Sequence, residues 1–390
     1  MTYDFDEVID RSRTNSAKWL HYDQDVLPMW VADCDFVSPE PVRRALRRYV
    51  EHGIYGYPYK AEGSFEQATI RWCHDRLRFD CQARDVEFVP SLTTALSLAV
   101  LAFTQPGENV LIQTPVYPPF KSVAVNNGRH SVTNPLINEG DGNWSIDWLD
   151  FEAKCADPKT TLFLLCNPQN PTGRVFTAEE LERMVDLCHE HGVVIFSDEV
   201  HADFVYGGAV HISLPTLGEK ARSLSVVGLN PSKTFNIAGL RAASVVIHNP
   251  ELMRRYRRAS ARVDAGRNGP GVLAYTVAFT QCDDYVEAVR AYVEGNLRYA
   301  VRFINERIEG VTAYMPQATY LLWLDCRGLP VETQEELDDF MVSVAKVGMN
   351  SGSSFGEEGD RFLRLNVACP RSVLTEALER IERAVGALKA

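Results

Sequence analysis

Val227-Gly228-Leu229-Asn230-Pro231-Ser232-Lys233-Thr234-Phe235-Asn236-Ile237-Ala238-Gly239-Leu240-Arg241 is the stretch in which an apolar strand ends and reactive side chains begin. Leu224 to Val227 is a short, nearly all-apolar run, and Ser232, Lys233 and Arg241 follow its carboxyl end. Upstream, Val86-Glu87-Phe88-Val89, Val110-Leu111-Ile112, Thr161-Leu162-Phe163-Leu164-Leu165 and Val193-Val194-Ile195-Phe196 read the same way. Continuous apolar runs of this length suit strands buried on both faces, as a parallel sheet requires. Helical patterns fall between them. Thr94 to Phe103 is an apolar helix, and Leu181, Met184, Val185 and Cys188 recur at helical spacing, opened by a Thr177/Glu180 capping box and closed at Gly192. Ala242 to Ile247 reads as a further strand. The expectation is an α/β fold with a mainly parallel sheet between helices.

After Cys282 the pattern changes. A long amphipathic segment, Tyr285 to Ile308, leads to the strand Tyr320 to Leu324. A helix over Gln334 to Ala345, a strand Phe362 to Val367 and a last helix from Ser372 follow. The reading is three-part: an N-terminal segment, 1–45, packing on a small α+β domain, 283–390, with the large domain at 46–282. A chain of 390 residues exceeds the size of one typical core.

Composition narrows the function. Hydrophobic residues make up 45% and charged residues 24%, the balance of an ordinary globular protein. A net charge of −12 argues against nucleic acid or an anionic membrane as partner. Arg254-Arg255-Tyr256-Arg257-Arg258 is read as a solvated helix face near a subunit contact. The charged N-terminus lacks a signal-like apolar core, and no run is long enough to span a bilayer. Nine cysteines without a C-x-x-C pair fit reduced thiols, hence a cytoplasmic protein, and leave no metal site to expect.

Ligands of open α/β sheets gather at the carboxyl ends of strands, so the residues there carry the function. Lys233 supplies an amine. Asp198, in Ser197-Asp198-Glu199-Val200-His201, supplies a carboxylate at a neighbouring strand end, with Glu199 pointing away. Asn170, in Asn167-Pro168-Gln169-Asn170-Pro171-Thr172-Gly173, supplies an amide on a loop pinned by prolines and a glycine. Backbone N–H groups of Leu92 and Thr93, opening a helix after a strand, form an anion cup that Ser232 and Arg241 complete. Tyr117 follows a strand and offers a ring face, and His201, three residues after Asp198, offers a second polar partner beside the Asn170 amide. Each residue alone has a plainer reading, as a surface lysine, a loop-capping aspartate or a packed tyrosine. Together they are what pyridoxal phosphate demands: a Schiff-base lysine, an acid for the pyridinium nitrogen, a donor for the phenolic oxygen, a phosphate cup and a stacking ring.

The chain resembles the fold-type I pyridoxal-phosphate enzymes of the aminotransferase class I/II superfamily. More narrowly it is similar to the MalY/PatB group of cystathionine β-lyases, or C–S lyases. The likeness rests on Leu27-Pro28-Met29-Trp30-Val31-Ala32-Asp33-Cys34-Asp35-Phe36, Gly56-Tyr57, Ser232-Lys233-Thr234-Phe235-Asn236 and Arg364-Leu365-Asn366-Val367-Ala368-Cys369-Pro370-Arg371. It implies a seven-stranded, mainly parallel sheet and a small domain built from both chain ends. It also implies that Arg364 pairs with the substrate α-carboxylate alongside Asn170, and that Trp30 and Ala32 close over the substrate. Tyr57 would reach the phosphate of a neighbouring subunit, making a homodimer the active unit. Ser91 and Asn230 stand where many relatives carry glycine and a small residue, both beside the expected cup.

The activity implied is α,β-elimination from L-cystathionine or another cysteine S-conjugate, with Lys233 moving the Cα proton and Tyr117 serving the leaving sulfur. An aminotransferase using the same cofactor groups is the alternative, since fold alone does not decide the reaction. A ligand-binding member that had lost chemistry would not be expected to keep Lys233, Asp198, Asn170 and Arg364 together.

Overall fold

The computed structural model describes residues 3–58, 63–263 and 265–388. Strands β1 (Val86–Val89), β2 (Asn109–Ile112), β3 (His130–Thr133), β4 (Thr160–Cys166), β5 (Val194–Asp198), β6 (Ser225–Leu229) and β7 (Ala243–Val246) form a seven-stranded sheet. Their order is β1-β7-β6-β5-β4-β2-β3. All pairings are parallel except those of β7, which runs antiparallel to both β6 and β1. The direction of β7 follows from its connection. The Lys233 connection from β6 to β7 holds only a 3₁₀ turn, Ala238–Leu240, and not the α-helix that usually carries the crossover to a parallel neighbour.

Both faces of the sheet are covered. Leu162, Leu164 and Cys166 of β4 pack with the helix Leu92–Phe103 into one apolar layer. The alternate residues Phe163 and Leu165 pack with the amphipathic helix Ala178–Glu190 into another. This two-sided burial is why β4, β5 and β6 read as unbroken apolar runs. The Thr177/Glu180 capping box is formed as the spacing suggests. Edge strand β3, His130-Ser131-Val132-Thr133, is only partly buried and carries no such run. It escaped the sequence reading for that reason.

A second sheet holds β8 (Thr312–Ala313), β9 (Leu321–Asp325), β10 (Asn350–Ser351) and β11 (Phe362–Asn366), antiparallel throughout in the order β8-β9-β11-β10. Helices Asp283–Arg307 and Arg371–Ala387 share its apolar core. The helix expected from Gln334 to Ala345 is α-helical over Gln334–Asp339 and then widens to a π turn over Phe340–Val344. Leu27–Pro28 pairs in parallel with Val347–Gly348 in a separate two-stranded sheet, which stitches the N-terminal segment to the C-terminal part of the chain. Among the described residues no helix is long and apolar enough to cross a membrane.

Candidate active site

The carboxyl ends of β5 and β6 open into a cleft of about 180 Å³. Its lining includes Ala32, Leu92, Thr93, Tyr117, Asn170, Asp198, His201, Ser232, Lys233 and Arg364. These ten residues, eight singled out for their chemistry and Ala32 and Arg364 through the resemblance, thus share one cavity. Trp30, Arg241 and Tyr57 do not line it. Trp30 stands just outside, with its carbonyl accepting from Arg364 Nη2 at 3.4 Å and its indole donating to the Lys18 carbonyl. Arg241 is exposed, in a left-handed backbone conformation with φ of 51°, while its neighbour Ala242 reaches the cleft. Tyr57 is fully solvent-facing within the single chain.

Lys233 is half-buried on the turn after β6, and its Nζ donates to the carbonyl of Ala32 at 2.7 Å. Burial pushes the ammonium below its ordinary range, with Arg364 acting in the same direction and Asp198 against it. Such an amine is easier to obtain neutral, which nucleophilic chemistry requires. Thr234 donates to Asp203 at 2.6 Å, anchoring the turn to the segment after β5.

Asp198 ends β5, and one carboxylate oxygen accepts from Val200 N at 3.2 Å. Burial raises it to about 7, opposed by that backbone bond and by Lys233. A carboxylate so placed gains from a cationic partner in the cleft. Glu199 faces the other way: it accepts from Ser197 Oγ at 2.9 Å and pairs with His211 Nε2 at 3.0 Å. His201 is buried and its Nδ1 has no hydrogen-bond partner. Burial pushes it down to about 3, with Lys233 and Arg364 adding to the shift, so it is a neutral ring near neutral pH.

Arg364, on β11, is buried, and no carboxylate among the described residues pairs with it. Its Nη1 donates to Asn170 Oδ1 at 2.9 Å and its Nη2 to Asn350 Oδ1 at 2.6 Å. The guanidinium lies over the Phe355 ring at 4.7 Å, and its Nε has no partner. Burial lowers it to about 10, still cationic at neutral pH. A buried cation held only by neutral acceptors is a carboxylate receptor in waiting. Asn350 belongs to no motif in the sequence and was missed. The only signal available was its place beside Arg364 across the β10–β11 pair.

The Asn170 loop is held from several sides. Its carbonyl accepts from Tyr117 N at 3.1 Å, and Gln169 Nε2 donates to the Pro115 carbonyl. The peptide bonds Asn167-Pro168 and Asn170-Pro171 are cis. Gly173 has φ of 70°, and a Cβ there would lie 2.5 Å from Pro316 Cβ, so glycine is required. Tyr117, at 37% exposure, keeps its phenol proton because burial raises it against the pull of Arg364.

At the expected cup, Ser91 caps the helix Leu92–Phe103 by accepting from Thr94 N at 3.2 Å. Asn230 Oδ1 accepts from Ser232 N at 2.9 Å. Both departures from the glycine pattern therefore spend their side chains on local backbone. Leu92 and Thr93 line the cleft, and the first N–H groups of a helix have no intrahelical acceptors.

The N-terminal segment is a strap over this cleft. Asn366 Nδ2 donates to the carbonyls of Val31 and Asp33, and Asn236 Nδ2 to those of Cys34 and Phe36. Beneath it Lys18, fully buried, donates to Asp35 at 2.6 Å, and Arg11 bonds both Asp33 and Asp35 at 2.8 Å.

The residues fit pyridoxal phosphate. An amine, a buried carboxylate of raised affinity for protons, an unpartnered imidazole nitrogen and a helix N-terminus converge on one cavity.

Similarity to known proteins agrees with this geometry. Cystathionine beta-lyase PatB of Bacillus subtilis is 38% identical over 98% of this chain and 99% of its own length. Protein MalY of Escherichia coli is 34% identical over 99% of this chain and the whole of its own. The crystal structure of cystalysin from Treponema denticola, which contains a pyridoxal 5′-phosphate cofactor, superposes with a TM-score of 0.95 at 29% identity over the full length of both chains. The pyridoxal-phosphate-bound C–S lyase of Staphylococcus hominis, solved with L-cycloserine, superposes with a TM-score of 0.90 at 29% identity, covering 99% of each chain. Residues 25–381 match the model of the aminotransferase class I and II family, and the chain belongs to that family.

Proposed function

We propose that this chain is a pyridoxal-phosphate-dependent carbon–sulfur lyase that converts an L-cysteine S-conjugate, with L-cystathionine the first candidate, and water to a thiol, pyruvate and ammonia. The observation that carries it is the meeting of Lys233, Asp198 and an uncompensated Arg364 in one cleft, in a chain similar throughout its length to cystathionine β-lyases. When bound, the cofactor accepts the electron pair released at Cα.

The chain's own residues divide the remaining work. Asp198 would hold the cofactor's ring nitrogen in its protonated form, and Asn170 and His201 would serve its phenolic oxygen. Leu92 and Thr93 N–H groups, Ser232 and, after a change of side-chain conformation, Arg241 would hold its phosphate. Tyr117 would offer its ring as a stacking partner. Arg364, steered by Asn170 and Asn350, clamps the substrate carboxylate through its fork of donors. Lys233 Nζ, freed from the Ala32 carbonyl, takes the Cα proton. The Cβ–S bond then breaks and sulfur leaves with a proton, for which Tyr117, on the cleft lining, is the candidate donor. The strap carrying Trp30 and Ala32 keeps water from the reacting carbons.

The active unit is a homodimer in which Tyr57 of each chain reaches its neighbour's phosphate. The exposed run Val50, Ile54, Tyr55 and Tyr57 supports that reading, as apolar surface of this kind marks contacts. Nine free cysteines, all buried, support a reducing cytoplasm. We place the domain limits at residue 45, within the helix Glu40–His52, and at residue 282, between the helices Gly269–Gln281 and Asp283–Arg307. Incubating the holoenzyme with L-cystathionine and no keto acid tests the activity. Equal amounts of pyruvate and thiol are expected. Turnover that appears only with added 2-oxoglutarate would assign an aminotransferase instead.

A further inference from the structure

One residue past Asp198, and outside the cleft lining, stands a buried acid–imidazole pair that the chemistry above does not use. The Glu199 side chain is fully buried and that of His211 is 6% exposed, with Glu199 Oε2 and His211 Nε2 at 3.0 Å. The other oxygen, Oε1, accepts from Ser197 Oγ at 2.9 Å and from Leu214 N at 3.4 Å. Two donors on one oxygen and a ring nitrogen on the other surround a carboxylate, not a carboxylic acid. His211 Nδ1 has no partner among the described residues, which suits the tautomer whose proton lies on Nε2. The pair therefore carries one buried negative charge.

Its bonds lead to two of the cleft's polar groups. Glu199 N donates to the Gly228 carbonyl at 3.0 Å, which ties the end of β5 to β6, the strand that runs into Lys233. The segment from His211 to Leu214 reaches the Asn170 loop as well. Asn167 Nδ2 donates to the Ile212 carbonyl at 2.9 Å, and Asn167 N to the Asp198 carbonyl at 3.0 Å. Asp198 and the loop that carries Asn170 thus lean on one segment, and the Glu199 carboxylate joins that segment to β5. Burial is the main reason that Asp198 is raised, and the charge of Glu199 acts in the same direction, against Lys233 on the cleft side. Cys73, on the helix Ser64–Asp75, also interacts with Glu199, and Asp203 with His211.

We propose that Glu199 and His211 are a positioning pair for the cofactor seat. They hold Asp198 and the Asn170 loop in place, and the charge of Glu199 strengthens the grip of Asp198 on a protonated ring nitrogen. The inference rests on the reading of Asp198 as partner of that nitrogen. A second anion behind the first favours a cation in front of it, because both act through a medium that screens less than water.

The test titrates the visible absorbance of the bound cofactor against pH and measures the dissociation constant of pyridoxal phosphate. Wild type, Glu199→Gln, His211→Phe and His211→Gln are compared, with circular dichroism to confirm folding. Glu199→Gln keeps the shape of the side chain and removes its charge, so the midpoint of the absorbance titration is expected to fall by about half a pH unit. His211→Phe leaves the carboxylate without its ring donor and is expected to weaken cofactor binding about tenfold. His211→Gln restores an N–H donor and is expected to bind within about threefold of wild type. An unmoved midpoint in Glu199→Gln, or equal binding by the two His211 variants, would overturn the positioning role. If Glu199→Gln does not fold, the two His211 variants decide. Neither readout depends on the reaction catalysed. Both effects in a holoenzyme that releases no thiol from thioethers would keep the pair and end the lyase reading, and thiol release with neither effect would do the reverse.

Discussion

Arg364 Nη1 and Asn170 Oδ1 are joined by a hydrogen bond of 2.9 Å, although the residues lie 194 positions apart, Asn170 on the loop after β4 and Arg364 on β11 of the second sheet. The bond uses the carbonyl side of the Asn170 amide, which leaves its N–H₂ to donate elsewhere. The proposed substrate clamp and the proposed cofactor contact are thereby one unit, and disturbance of either should reach both.

Arg364→Lys is expected to lower kcat/KM by about 100-fold or more, mostly through a raised KM, because an ammonium cannot satisfy Asn170, Asn350 and a carboxylate together. Asn350→Ala should produce a smaller loss of the same kind, about tenfold, by freeing one edge of the guanidinium. Steady-state kinetics on the two variants check both. An Asn350→Ala enzyme with unchanged KM would show that Arg364 orients itself.

Asp198 and His201 should pull the stability of the cofactor-free chain in opposite directions. Asp198 is raised to about 7, so the native chain keeps a proton that the unfolded chain has lost above about pH 4, and its contribution falls as pH rises to about 7. His201 is lowered to about 3, so below about pH 6.5 the unfolded chain takes up a proton that the native chain refuses, and its contribution falls as pH drops. Thermal unfolding at pH 5 and pH 8 should reveal this in the variants. Relative to wild type, Asp198→Asn should gain stability from the higher pH, and His201→Gln should gain from the lower. Identical pH profiles for the three proteins would refute the assignment.

In the holoenzyme Asp198→Asn is expected to fold normally and lose several powers of ten in kcat, each worth about 1.4 kcal/mol of barrier. Lys233→Ala is expected to abolish turnover and the visible absorbance of the bound cofactor. Retained activity in Lys233→Ala would end the proposed assignment of that lysine.

Lys18→Met should cost about 3 kcal/mol, since it strands Asp35 with Arg11 as its sole remaining cation and removes a donor to the Asp33 carbonyl. The strap should loosen with it, raising KM. Pairing Lys18→Met with Asp35→Asn should recover part of the loss, a coupling that a double-mutant cycle measures.

Gly173→Ala is expected to destabilise the chain by about 2 kcal/mol, from its positive φ and the clash with Pro316, and to lower activity through the Asn170 loop. Chemical denaturation and kinetics on one preparation would check both effects.

What the sequence determined by itself was whatever is written locally. Strands β4, β5 and β6 are covered on both faces, so their burial appears as unbroken apolar runs, and the Thr177/Glu180 box marks its helix within four residues. Lys233, Asp198 and Asn170 were legible because each sits in a short motif at a strand's carboxyl end. The tertiary structure alone decided what depends on distant partners. It set the antiparallel course of β7, the Asn350 support of Arg364, the Ala32 carbonyl on Lys233, and the Arg11–Lys18–Asp33–Asp35 network under the strap. Tertiary packing also left Arg241 and Tyr57 outside the cleft of the single chain. Local patterns record how a segment is buried, but a hydrogen bond between remote side chains leaves no periodic trace in either segment.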